Sequence, residues 1–259
     1  MITPARSEPS ATGDEVGRRV VVHAALADPH RLRIVDLLAL SDRAPSDLAE
    51  RLGIGSNLLA HHVAILEEAG LVERLSSAGD GRRRYLRLVP QPLAPTWMQT
   101  EPLAAGMILF VCTANSARSP IAAALWNRAS EIRAESAGTH PAPDVHPLAV
   151  RAAARVGLDL TGARPRSIRE IQSRRDVIVV TVCDRAREEL APLAHDGLAL
   201  HWSIPDPVRD GRSRAFVETV VALGARISGL RERVCPAPRR HGREGARRRS
   251  LSFRSHDGR

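Results

Sequence analysis

At 259 residues, 43% of them hydrophobic but only 3% aromatic, the chain is long enough for two packed domains whose cores are mainly aliphatic. It lacks an apolar run of the roughly 18 residues that a membrane span needs, its first nine residues have no signal-peptide core, and three widely spaced cysteines exclude a disulfide framework, so a cytoplasmic location is expected. The net charge of +9 is carried by Arg with no Lys, and it is concentrated: from Cys235 onward eight Arg face only Glu244 and Asp257, a net +6 that leaves +3 for the rest.

Residues 1–16 are polar and small, and are expected to be disordered. Helical periodicity begins near Val16 and runs to about Leu40, broken at Ala27-Asp28-Pro29, where Asp28 can cap a second helix and Pro29 suits its first turn. A short helix is predicted from about Pro45 to Leu52, closed by Gly53. A longer one is predicted from about Ser56 to Ala69, closed by Gly70, with Leu59, Val63 and Leu66 at helical spacing. Leu71–Leu75 and Arg82–Leu88 then flank a Gly-Asp-Gly turn and read as a hairpin.

Short helix, tight turn, longer helix and basic hairpin is the order of a winged helix-turn-helix, expected over 17–89. In that geometry the second helix of the pair enters the major groove of double-stranded DNA and the wing reaches the backbone. This half resembles the ArsR/SmtB repressors through Ala24–Ile34, Asp47–Gly53 and His62–Val72. The resemblance implies an operator-binding homodimer in which Ser56, Asn57, Leu58, Ala60 and His61 face base edges and Arg82, Arg83 and Arg84 contact phosphates. Many members sense metals or arsenite through a Cys-x-Cys pair before the recognition helix; here Ala44 and Ser46 stand there, and no cysteine precedes Cys112. A thiolate site in this half is therefore excluded. Neighbouring His61 and His62 point about 100° apart on a helix, so no metal site is expected, and His62 is assigned a structural hydrogen bond.

Residues 90–106, with Pro90, Pro92, Pro95 and Pro102, read as a semi-rigid linker. The most informative stretch follows. Ile108–Val111 reads as a buried strand entering a Cys-x5-Arg-Ser loop, and a helix opens at Ser119-Pro120. The N–H groups of Thr113, Ala114, Asn115, Ser116, Ala117, Arg118 and Ser119 can curl around a tetrahedral oxyanion, with the positive end of the helix facing it. Arg118 adds a planar fork for two anion oxygens, and the same environment favours a nucleophilic thiolate at Cys112.

Helices and strands then alternate: a helix from Pro120 to about Ile132, a strand ending at Thr139, a helix over His146–Val156, strands at Asp176–Val182 and Leu198–Ile204, and a helix from Phe216 to Val234. The expected fold is α/β, a doubly wound four-stranded parallel sheet over 107–234. The last strand leads into Pro205-Asp206-Pro207, which puts Asp206 on the sheet edge of the Cys112 loop as a proton donor for a leaving oxygen. The Arg-rich stretch 235–259 is expected to be a disordered, solvated tail.

This half resembles the low-molecular-weight protein tyrosine phosphatases and the arsenate reductases that share their fold. The resemblance implies Cys112 as nucleophile, Asn115 as loop-stabilising residue, Arg118 as anion fork, Ser119 as the hydroxyl aiding thiolate formation and Asp206 as general acid. Ser136–Thr139 and His146-Pro147 are further matching stretches with structural work. Asn115–Ser119, Thr181–Asp184 and His201-Trp202 lean towards the reductases, whereas Arg118–Pro120 leans towards the phosphatases. The only tyrosine is Tyr85, which leaves a phosphotyrosine ring to be stacked by Trp126 or Trp202.

The reductase reading implies an arsenic-resistance enzyme with no bound cofactor and an external thiol reductant: thioredoxin, mycothiol, or glutathione with glutaredoxin. Cys183 resembles a second relay cysteine, Leu190 occupies the usual place of a third, and Cys235 is the remaining candidate. The expected function is thus a transcription regulator fused to an arsenate reductase. The alternatives are a phosphatase fused to a regulator and a repressor whose second domain binds an oxyanion without turnover.

Overall fold

The computed structural model describes residues 11–89, 102–171, 176–191 and 199–237, with backbone alone for 11–15. They form two compact units. The first comprises residues up to Ala39, Arg43–Leu75 and the chain from Tyr85; the second takes in Leu40–Asp42 and Ser76–Arg84 as well as the chain from residue 102.

The first unit holds α1 (Ala11–Leu26), α2 (Pro29–Leu38), α3 (Pro45–Leu52) and α4 (Ser56–Glu68), followed by the paired strands β1 (Val72–Ser76) and β2 (Arg84–Leu88). Asp28 caps α2 by accepting the Arg31 N–H at 3.0 Å, with Pro29 in the first turn, where its missing N–H costs nothing. Gly53 ends α3 at φ 64°, a left-handed backbone in which a Cβ would be strained. Ile34, Val35, Leu38, Leu48, Leu59, Val63, Leu66 and Leu86 form one buried cluster, anchored on α1 by Val22 and Ala25. The helix start expected at Val16 lies instead at Ala11, so 11–16 are not disordered: a helix nucleated by a buried turn extends cheaply through polar residues. Residues 1–10 lie outside the described chain.

The second unit is built on a four-stranded sheet in the order β5 (Ala134–Gly138), β4 (Met107–Cys112), β6 (Val177–Thr181), β7 (Ala199–His201), every neighbouring pair parallel. The six residues of β4 are all buried, as a central parallel strand requires. Its chain-order neighbours β5 and β6 lie on opposite sides of it, so the loop after β4 opens at the switch point of the sheet, where α/β folds place their ligands. The helices are α5 (Arg118–Ala129), α6 (Pro147–Ala154), α7 (Asp184–Leu190), α8 (Pro207–Asp210) and α9 (Ser213–Arg231). Phe110 of β4 is fully buried, with its ring centroid 6.3 Å from that of Trp126 and 5.8 Å from that of Trp202.

Two expected boundaries are corrected. Leu103–Ala105, assigned to the linker, forms β3, and Val234–Pro236, assigned in part to the tail, forms β8; the two pair in parallel, Leu103 opposite Val234 and Ala104 opposite Cys235. Three-residue strands carry too little alternation to be read from sequence. Linker residues 90–101 and tail residues 238–259 lie outside the described chain. The hairpin turn is tied into the second unit: Ala78 N–H donates to Asp184 Oδ2 at 2.6 Å, Asp80 N–H to Glu188 Oε2 at 3.0 Å, and Ser77 Oγ to Glu188 Oε1 at 2.7 Å. Among the described residues no helix is long and apolar enough to cross a membrane.

Phe110→Ala should leave a cavity between two tryptophans and cost about 3–5 kcal/mol, read as an earlier urea transition of tryptophan fluorescence.

Candidate active site

The loop after β4 is shaped by where its carbonyls go. Cys112 C=O accepts from Thr139 N–H at 3.2 Å, Thr113 from His140 at 2.8 Å, Ala114 from Ala142 at 2.8 Å and Ser116 from His146 at 2.8 Å. The stretch from Thr139 to His146 thus draws these carbonyls to one side. Among the described residues no backbone acceptor takes the N–H groups of 113–118. Gly138 makes the approach possible, because a Cβ there would lie 2.6 Å from Thr113 O and 3.1 Å from Asn115 Cβ and N.

Asn115 sits at φ 49°, a left-handed conformation that asparagine tolerates better than most residues, and it is fully buried. Its side chain secures the bend at both ends: Nδ2 donates to Ser119 Oγ at 2.9 Å and Oδ1 accepts the Arg166 N–H at 3.0 Å. Ser119 Oγ lies 3.0 Å from Cys112 Sγ. A hydroxyl that accepts from Asn115 has its own single hydrogen to give, and Cys112 Sγ at 3.0 Å and Ala137 O at 3.4 Å are the acceptors within its reach. Cys112 itself is 2% exposed, at the floor of the loop.

Arg118 opens α5 and is also buried. One Nη donates to Ile204 O at 3.0 Å, and the other lies 2.9 Å from Asp206 Oδ2. The guanidinium has five N–H groups, so donors remain for an anion after both contacts. Asp206 is also the N-cap of α8, accepting the Val208 N–H at 3.0 Å, with about a third of its side chain open to solvent. It is therefore at once a turn residue before proline and a carboxylate facing the loop.

Cys183 is buried at the end of β6 and start of α7, where its Sγ accepts the Ala186 N–H at 3.4 Å and lies 3.4 Å from Thr113 Oγ1. Burial pushes its thiol above the ordinary value, against the pull of Arg118. The other relay candidate fares differently. Cys235 is exposed and pairs with Ala104, ahead of the N-terminal end of β4, whereas Cys112 and Cys183 stand at the opposite, C-terminal edge of the sheet. β4 alone is about 17 Å long at ~3.3 Å per residue, and a disulfide needs Cα atoms within about 7 Å. Cys235 is thus not part of a relay in this fold.

Neither Trp126 nor Trp202 is free to stack a substrate ring. Trp126 and Trp202 are 0% and 1% exposed, and their indole N–H groups donate to Ile132 O at 2.6 Å and Leu40 O at 2.9 Å. Tyr85 is buried too.

Residues 107–237, half of the chain, match the family model described as low molecular weight phosphotyrosine protein phosphatase. An arsenate reductase of Halalkalibacterium halodurans is 30% identical over 106 residues, 40% of this chain and 75% of that protein. The chain belongs to the low molecular weight phosphotyrosine protein phosphatase family. A solved arsenate reductase from Archaeoglobus fulgidus is similar over 48% of this chain and 97% of its own, with 29% identity and a TM-score of 0.40.

The family domain is preceded by a helix-turn-helix domain, matched over residues 26–74. The transcriptional repressor SdpR of Bacillus subtilis is 37% identical over 51 residues, which span 20% of this chain and 57% of that protein. On α4, Ser56, Asn57, Leu58, Ala60 and His61 are all exposed, while Leu59, His62, Val63 and Leu66 turn inward. Arg82, Arg83 and Arg84 are exposed on the hairpin turn. His62 departs from expectation: neither ring nitrogen has a hydrogen-bond partner among the described residues.

The parts of the phosphatase-family site that escaped the sequence reading are the backbone of Arg166, the Ile204 carbonyl and the donors of 139–146. Only backbone groups act there, so side-chain identity carries no signal of them. Gly138→Ala should displace the loop while leaving Cys112, Arg118 and Asp206 in place in the chain. Affinity for inorganic phosphate, read as protection of Cys112 from iodoacetamide, should fall about tenfold or more, the equivalent of ~1.4 kcal/mol.

Proposed function

We propose that this protein is a DNA-binding regulator that carries a thiol-dependent arsenate reductase. The observation that carries the choice of reductase is Cys183, a second buried thiol at the loop itself, 3.4 Å from Thr113. Hydrolysis of a Cys112–phosphate intermediate by water needs no second thiol. The lack of an accessible aromatic ring among the described residues also counts against a phosphotyrosine substrate.

Arsenate is held by the N–H groups of 113–118 and the guanidinium of Arg118. The Cys112 thiolate attacks arsenic; an S–As bond forms, an As–O bond breaks, and the departing oxygen takes a proton from Asp206 and leaves as water. A thiolate then attacks Cys112 Sγ. The new S–S bond forms as the S–As pair of electrons passes to arsenic, which is released as As(III), arsenite. Cys183 supplies that thiol, and an external thiol system reduces the resulting Cys112–Cys183 disulfide. Because burial raises the Cys183 thiol, this second step quickens as pH rises above neutral, when more thiolate is present.

The helix-turn-helix domain reads double-stranded DNA with the exposed residues of α4, and Arg82, Arg83 and Arg84 contact phosphates. Val16, Val20 and Val21 stand exposed on α1, an apolar strip that a second copy of the chain would cover, which supports a homodimer. Such a regulator works in the cytoplasm.

The deciding experiment supplies arsenate to the purified protein with thioredoxin, mycothiol or glutathione/glutaredoxin systems and measures arsenite, with p-nitrophenyl phosphate hydrolysis in parallel and Cys112→Ser as control. Arsenite that depends on Cys112 and falls at least about tenfold in Cys183→Ser is the expected result. Phosphate release without arsenite would make the protein a phosphatase, and silence in both would leave a non-catalytic oxyanion sensor. Replacing Arg82, Arg83 and Arg84 together by Ala should flatten the dependence of log affinity on log salt by about 0.9 for every phosphate that is no longer neutralised, measured by anisotropy on duplex DNA.

A further inference from the structure

His62 is the least satisfied polar side chain of the first unit. It is 5% exposed, and both ring nitrogens are buried without a hydrogen-bond partner among the described residues. An imidazole so placed loses its water and gains nothing in return, a cost that native folds seldom leave uncompensated.

Its surroundings hold suitable ligands. The Nδ1 of His62 is 3.7 Å from Asp28 Oδ1, beyond hydrogen-bond length, and its ring lies against that of His30 with centroids 5.2 Å apart and planes at 24°. One donor atom from each of Asp28, His30 and His62 falls within 4.8 Å of the others. Ligand atoms about 2.0–2.2 Å from a tetrahedral zinc stand roughly 3.4 Å apart, so closing the triangle takes at most about 1.4 Å. His30 is half-buried and free to make that movement by side-chain rotation. Asp28 already accepts the Arg31 N–H as N-cap, and a carboxylate has acceptor capacity beyond that bond.

We propose that Asp28, His30 and His62 form a divalent transition-metal site in the helix-turn-helix unit. Two imidazoles and a carboxylate suit Zn(II) or Co(II), with a fourth position for water, and do not suit arsenite, which demands thiolates. The site bridges the first turn of α2 to the inward face of α4. A bound ion therefore fixes the helix whose outward face carries Ser56, Asn57, Ala60 and His61. Sequence spacing concealed the site, because Asp28 and His30 lie more than thirty positions from His62 and only the packing of α2 on α4 joins them.

Co(II) added to the untagged, reduced full-length protein should bind once per chain and give visible bands of four-coordinate cobalt without thiolate-to-metal charge transfer. Zn(II), followed by competition with a chromophoric chelator, should displace it. His30→Ala, at a half-buried position, and Asp28→Asn, which preserves the cap, should each weaken binding at least tenfold, and His62→Gln should abolish it. Cys112→Ser and Cys183→Ser should leave the spectrum unchanged. Failure of either ion to bind, full affinity in His30→Ala, or bands lost in the cysteine variants would overturn the assignment.

Discussion

An oxyanion loop binds anions only if its amides face inward, and in this protein that is decided from outside the loop. Peptide units between Cys112 and Ser116 point one way because Thr139, His140, Ala142 and His146 donate to their carbonyls. A segment that is neither helix nor strand for most of its length thereby determines the geometry of the site. The same demand explains Gly138, which lets that segment pass within van der Waals range of the loop, and Asn115, whose left-handed backbone and two side-chain hydrogen bonds hold the bend. Preorganisation of this sort removes the cost of orienting dipoles when charge arrives.

The thiols divide the work by environment. Cys112 lies 3.0 Å from the Ser119 hydroxyl at the start of the loop. Cys183, a few residues beyond β6, is enclosed by apolar neighbours and kept protonated by burial. Two thiols with the same intrinsic chemistry thus stand in different surroundings, one among hydrogen-bond donors and one in the apolar core. In the first turn of α7, Asp184 is also buried. Burial works against its charge, but hydrogen bonds from His201, the Ala78 N–H and Ser203 outweigh it and keep the carboxyl below its ordinary value.

How much of this was legible depended on whether side chains or backbone carried the signal. The strand-loop-helix of Cys112 to Pro120 was readable because a nucleophile, an asparagine, an arginine and a helix-opening Ser-Pro must each stand at a fixed place. Helical periodicity similarly announced α2, α3 and α4, whose apolar faces coincide with the buried residues. The pair β3–β8 was not readable, since three residues such as Leu103–Ala105 show no alternation and their partner lies across the whole domain. Cys235 was misplaced for the same reason: chain position gave no hint that β8 returns to the far end of β4. The Asp28–His30–His62 cluster was hidden because its members come from two helices, whereas His61 and His62 stand side by side in the chain yet diverge in space.

His61 and His62 also show how one helix can serve two purposes. Consecutive residues on α4 diverge by about 100°, so His61 is exposed among the outward residues while His62 is buried against α2. Leu59, Val63 and Leu66 share the inward face and secure the helix by apolar contact, which is indifferent to modest rotation about the helix axis. His62 is different in kind, because directional ligands tolerate little rotation. Once a ligand engages its ring nitrogens, an inward histidine on an otherwise apolar face would therefore control the orientation of the outward one more tightly than the surrounding leucines do. A side chain that gains its stabilising partner only under particular conditions makes that control conditional as well, since any ligand of the inward face shifts the population of helix orientations by its difference in affinity between them.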